Sequence, residues 1–278
     1  MTVSTTANTS AAAYATDPGK PVGHYQASLL TRGPWHPEHQ HGGPPIALVC
    51  RAIEQAAQAQ GLSHIARLTA NLVRPVPIGD LEVLVSTQYV GRNAGHFSAQ
   101  LLADGKEVGI FTALAQRENA LALPDNLPGH PLPMAPQLPE ASPAARFPFA
   151  GQYVGYAELV ETRVARGEMF NGPCAIWFRL RHPLVAGELP GAYQRVAVAA
   201  DSGNGISAIL DYQRYSFVNS DLTIHLLRAP VGEWICVDAS THLGSNGCGL
   251  AEARLYDVQG LIGRSVQSLA VRERPPAN

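Results

Sequence analysis

The sequence predicts an α+β fold built twice: two tandem copies of a long helix wrapped by an antiparallel sheet. Three observations predict it. The stretch LTANLVRPVPIGDLEV at residues 68–83 returns as LTIHLLRAPVGEWICV at 222–237. Leu68, Thr69, Leu72 and Arg74 there match Leu222, Thr223, Leu226 and Arg228 at an offset of 154. A second echo follows in the same order, GKEVGIFTALAQRE (105–118) against GLIGRSVQSLAVRE (260–273), at an offset of 155. Two matches in one order at nearly one spacing mark an internal duplication, and the one-residue drift belongs in a turn. The third observation is the order inside each copy, a helical segment followed by a run of long strands, the pattern of a sheet packed on a helix.

The elements follow in turn. Residues 1–21, rich in Ser, Thr and Ala, lack the basic start and apolar centre of a secretory signal and are expected to be a disordered tail. The first copy, 22–120, opens with a strand, HYQASLLTRG (24–33). In HGGPPIALVCRAIEQAAQAQG (41–61), Leu48, Arg51, Ala52 and Gln55 fall at helical spacing. Pro44 and Pro45 suit a first turn and Gly61 a stop. Strands are expected at 64–74, 80–91, 95–104 and 106–117, with Asp104-Gly105 turning between the last two. The prolines of PDNLPGHPLPMAPQLPEASPAARFP (124–148) exclude a helix interior or a central strand, so 121–148 reads as an extended connector. The second copy, 149–274, repeats the order. Strands at 152–165 and 174–181 precede a helix from DSGNG (201–205) through ISAILDYQR, then strands at 218–228, 233–243, 248–257 and 261–272.

Composition removes several classes. A hydrophobic fraction of 46% with 15% charge in 278 residues gives a sizeable core. A net charge of −2 supplies no field for gathering nucleic acid or an anionic membrane, and no run of 18 apolar residues could span a bilayer. Cys50, Cys174, Cys236 and Cys248 show no C-x-x-C spacing and three sit in apolar runs, which points to a reducing, cytoplasmic setting. His36, His39 and His41 crowd one loop, but its prolines and the missing second ligand cluster favour a surface loop over a metal site. There is no G-x-S-x-G elbow, P-loop or dinucleotide fingerprint, so neither metal nor cofactor is expected.

A duplicated chain carries its own control: shared apolar positions report packing, and positions polar in one copy alone are candidates for function. On the strand bearing Leu222, Ile224 and Leu226, Ser220 stands where the first copy has Ala66. Gln267 stands where it has Thr112, and Asp201 where it has His41. Each has a bland reading: Asp201 as a helix N-cap, Ser220 as a strand-edge residue, Gln267 as a solvent-facing one. Gly42 and Gly43 open the first helix, where backbone N–H groups and the helix dipole favour a developing negative charge and missing side chains admit close approach. His41 lies beside them.

HGGPPIALVCRAIE, DLTIHLLRAPVGEW and GLIGRSVQSLAVR, in that order and in a duplicated chain, resemble the double hotdog acyl-CoA thioesterases, the group similar to bacterial thioesterase II. The resemblance spans roughly residues 22–273. It implies an acyl-CoA substrate, hydrolysis to free acid and coenzyme A, and assembly into a homodimer or larger homo-oligomer. It also implies that Asp201, Ser220 and Gln267 match the aspartate, hydroxyl residue and glutamine with which the family holds its hydrolytic water. The DSGNG loop departs from the family's commoner spacing. Arg74 and Arg228 could meet coenzyme A phosphates, but their presence in both copies favours a shared structural role. Two alternatives stay open: a hydratase or dehydratase on the same fold, which wants an Asp/His pair where the second copy has no histidine near Asp201, and a non-catalytic acyl-CoA-binding protein.

Overall fold

The computed structural model describes residues 11–125 and 127–274. In the first half the elements are β1 (Tyr14–Thr16), β2 (His24–Ala27), α1 (Gly43–Gln58), β3 (His64–Leu72), β4 (Asp80–Val90), β5 (Ala94–Ala103) and β6 (Lys106–Gln116). The second half holds β7 (Ala144–Ala145), α2 (Tyr156–Leu159), β8 (Val160–Arg166), β9 (Cys174–Leu180), α3 (Ala192–Ala200) and α4 (Gly203–Ile206). It ends with β10 (Tyr215–Asn219), β11 (Asp221–Leu226), β12 (Ile235–Leu243), β13 (Cys248–Asp257) and β14 (Gly260–Glu273).

The strands form one antiparallel sheet in the order β1-β2-β4-β5-β6-β3-β11-β14-β13-β12-β9-β8-β7, with β10 also paired to β14. Its middle is the β3–β11 seam, where Thr69 faces Thr223 across the ladder and the two hydroxyls bond at 3.2 Å. These are the residues that the repeat matches to one another, so a local two-fold axis runs through this pair. The core explains the pattern of each strand. In β5, Phe97, Ala99 and Leu101 point inward while the residues between them face outward or lie half-buried. α1 is buried along most of its length, from Gly43 to Cys50 and again at Ile53 and Ala57, because it packs on both the sheet and α3. Gly43 permits that second contact: a Cβ there would stand 2.5 Å from the Val198 carbonyl oxygen.

Four expectations are corrected. Residues 14–16 are not tail: β1 pairs with β2, Ala13 and Tyr14 are fully buried, and the Tyr14 hydroxyl donates to Gln40 Oε1 at 2.5 Å. A buried tyrosine with a partner for its hydroxyl anchors the chain there. Residues 1–10 of the expected tail lie outside the described residues. The strand over 24–33 stops at Ala27, because the Ser28 side chain accepts from Leu30 N–H and caps a 3-10 turn instead. At the start of the second half, the strand expected from 152 begins only at Val160, after the single turn of α2.

The fourth correction matters most. The second helix comes before DSGNG, not after it. AYQRVAVAA is rich in alanine and forms α3, and the glycines and small polar residues of 201–205 then end it, leaving α4 a single turn. The proline-rich stretch is partly seated: Trp177 Nε1–H donates to the Gln137 carbonyl at 2.7 Å, and Leu261 N–H to that of Pro133 at 2.9 Å. No helix among the described residues is long and apolar enough to cross a membrane.

Candidate active site

Because α1 and α3 pack with the start of one against the end of the other, His41 and Asp201 meet. Asp201 is the C-cap of α3 rather than an N-cap, and only 3% of its side chain is exposed. His41 Nδ1 lies 3.0 Å from Asp201 Oδ2, and the Gly43 N–H points at the same nitrogen from 3.1 Å. When the imidazole carries its proton on Nε2, Nδ1 accepts from Gly43; when the proton is on Nδ1, it faces the carboxylate. The ring is held by Tyr156, which stacks on it at 3.7 Å with planes 4° apart. Burial pushes the Tyr156 phenol far above its usual range, so it stays neutral. Its hydroxyl donates to the Val198 carbonyl or to Ser202 Oγ, each 2.9 Å away.

The second carboxylate oxygen has its own partner. Asn219 Nδ2–H donates to Asp201 Oδ1 at 2.9 Å and to the Asp221 carbonyl at 3.3 Å. Each carboxylate oxygen thus keeps acceptor capacity for a further donor. Gly42 packs against the same group, where a Cβ would stand 2.8 Å and 2.9 Å from its two oxygens. The Gly42 N–H has no acceptor among the described residues, whereas that of Gly43 is engaged by His41. Of the two amides expected as oxyanion donors, Gly42 is the free one.

Gln267 is buried, not solvent-facing. Its Oε1 accepts from Asn204 N–H at 3.0 Å, and its Nε2 donates to the Asp201 carbonyl at 3.1 Å. Both ends of the carboxamide therefore clamp the backbone that carries Asp201. Ser220 sits in the break between β10 and β11, where its side chain bonds to none of the described residues. It lines a cavity of about 340 Å³ together with Asp201, His41, Gly42, Asn219, Arg74, His36 and His39. His36 and His39 stack on each other with centroids 4.2 Å apart.

The arginines diverge. Arg228 makes a bidentate pair with Asp257 at 2.5 and 2.7 Å and holds its carboxyl below the usual range against the opposing effect of burial. Arg74 bonds the Glu107 carbonyl and stands at the cavity wall. Sequence reasoning missed Asn219 and Tyr156. Asn219 is next to Ser220, so the pair Asn219-Ser220 carried part of the signal; nothing local marked Tyr156. The histidine thought absent near Asp201 is His41, supplied by the other half.

A buried carboxylate with a histidine ring beside one oxygen and an amide donor on the other, facing a cavity beside a free helix-start N–H, is equipped to accept a proton from water next to an oxyanion site. Residues 31–117 match the acyl-CoA thioesterase N-terminal domain, and residues 130–271 the acyl-CoA thioesterase C-terminal domain. No curated protein matches the chain. Among solved structures it is similar to a proposed thioesterase II of Thermobifida fusca YX, with 17% identity, TM-score 0.68, and 90% of this chain and 92% of that one covered. A protein of unknown function with the hotdog fold from Alicyclobacillus acidocaldarius gives 17%, 0.67, 91% and 93%. An acyl-CoA thioesterase II of Mycobacterium marinum gives 15%, 0.61, 93% and 95%. At these identities the likeness shows the fold, which is the hotdog fold, while the two matched domains place the chain in the acyl-CoA thioesterase family, enzymes that hydrolyse thioesters.

Proposed function

We propose that the chain is a double hotdog with one complete catalytic cleft, in which Asp201 activates a water for attack on an acyl-CoA thioester. The observation that carries this is the meeting of His41 and Asp201 across the two halves, beside the free Gly42 N–H. Asp201 takes a proton as the water oxygen bonds to the thioester carbon. The oxyanion that forms faces the Gly42 N–H at the positive end of α1. Collapse of that intermediate breaks the C–S bond, releasing the free acid and the coenzyme A thiolate, a good leaving group that needs no strong acid. Ser220 and Asn219 hold the water from the side of β10. Gln267 positions the Asp201 backbone rather than touching the water, a change from the role that the resemblance implied for it.

Thiol release from acyl-CoAs tests this, with Asp201→Asn beside the parent. Loss of a general base costs on the order of 10²–10⁴-fold. A drop in that range with unchanged circular dichroism is expected; full activity in the variant would sink the reading. The His41/Asp201 pair also supplies what a hydratase would want. That alternative predicts loss of an enoyl-CoA's conjugated absorbance without thiol release, which the same assay separates.

A further inference from the structure

A second cavity, of about 160 Å³, lies on the far side of His41 and Asn204, which with Trp35 belong to both cavities. Its wall is aromatic: Trp35, Phe147, Phe149, Tyr153, Phe170 and Tyr212. We infer that this cavity is the acyl site and that it takes a compact aromatic ring rather than an extended alkyl chain. The inference deepens the hydrolase reading above and rests on it for the placement of the thioester.

Size is the first support. A cavity of about 150 Å³ holds one benzene ring, and this one matches that volume. Geometry is the second. The Phe147 and Phe149 rings stack at 5.1 Å, Phe149 and Tyr153 lie 4° from parallel at 6.2 Å, and Phe170 meets Tyr212 at 5.6 Å, tilted by 56°. Such a lining offers both faces and edges to an added ring, and aromatic pairs gain from those arrangements beyond the area they bury. A flexible alkyl chain gains only the area that it buries there.

The wall is also held in place. Phe170 adopts φ = +63°, a left-handed conformation that bulky residues rarely take and that persists only where the surroundings enforce it. Its N–H is pinned to the Ile206 carbonyl at 3.0 Å. Arg274 ties Trp35 to the Tyr212 segment. Its guanidinium lies 5.4 Å from the Trp35 ring centroid, while Nε donates to the Tyr212 and Tyr215 carbonyls at 3.1 and 3.3 Å. A site for varied chain lengths has no use for a strained phenylalanine and a clamped tryptophan.

Two readouts test the inference on the full chain. In the first, kcat/KM is compared for benzoyl- and phenylacetyl-CoA against hexanoyl-, decanoyl- and palmitoyl-CoA. An aromatic advantage of at least about tenfold is expected, and Phe149→Ala should reduce that ratio by a similar factor. Preference for a straight chain overturns the aromatic assignment while leaving hydrolysis standing. In the second, benzoate and phenylacetate are titrated while tryptophan fluorescence is followed, with Trp35→Phe as control. A saturable change that disappears in Trp35→Phe upholds the pocket even if no thioester is hydrolysed, in which case the hydrolase reading alone fails. No saturable change with either acid overturns the inference.

Discussion

Gly42 has no side chain where the Asp201 carboxylate lies: a Cβ would come within 2.8 Å of Oδ2. Gly42→Ala must therefore push the carboxylate or the helix start aside. Displacements of about 1 Å in a catalytic constellation cost on the order of 10²-fold in rate. A loss of that size in kcat, with the far-ultraviolet spectrum kept, is the expected result. Gln267→Ala acts differently, because it strips a buried carbonyl and a buried N–H of their partner at once. At about 1–3 kcal/mol per orphaned group, it should lower the denaturation midpoint as well as kcat, whereas Asp201→Asn should lower kcat alone. Chemical denaturation of the two variants side by side distinguishes a positioning residue from a reacting one.

At the scale of elements, each of the two long helices is preceded by a glycine that faces a carboxylate of the other helix. Gly42 faces Asp201; Gly191 faces Glu54, whose Oε1 would be 3.4 Å from an added Cβ. Pro190, not Asp201 as the repeat suggested, is the counterpart of His41: it stands before Gly191 as His41 stands before Gly42, while Asp201 closes the far end of α3. Burial pushes the Glu54 carboxyl up to about 7, opposed by the Gln194 amide that donates to it at 3.2 Å. The folded chain then binds more protons than the unfolded one between the ordinary glutamate range near 4.5 and pH 7. Stability present below that window is lost as pH rises through it, by on the order of 3 kcal/mol. Glu54→Gln should flatten this slope in denaturation curves taken from pH 5 to 8. Much of this level was legible in advance. The repeat located strands β3 to β6 and β11 to β14, because alternation survives in a strand buried on one face. The second helix was misplaced because DSGNG carries good N-cap residues and glycines, which end a helix as readily as they start one. Gln267 was legible as a candidate but not in its role, since which backbone a carboxamide reaches is set by tertiary packing.

At the scale of the molecule, the β3–β11 seam brings His41 from one half to Asp201 from the other. Among the described residues, the counterpart arrangement at Glu54 has neither a histidine nor an asparagine on its carboxylate. Calorimetric titration of Asp201→Asn with a non-hydrolysed acyl-CoA should give one site per chain, not two. The exposed run 117–125 lies between the halves outside the sheet. A cleavage site inserted after Leu121 should leave both fragments together in native chromatography and part them only in denaturant. That junction has a practical side. Neither fragment carries both members of the pair, so the two pieces, fused to separate bait and prey proteins, would form a split reporter whose thioesterase signal switches on only when the seam zips shut.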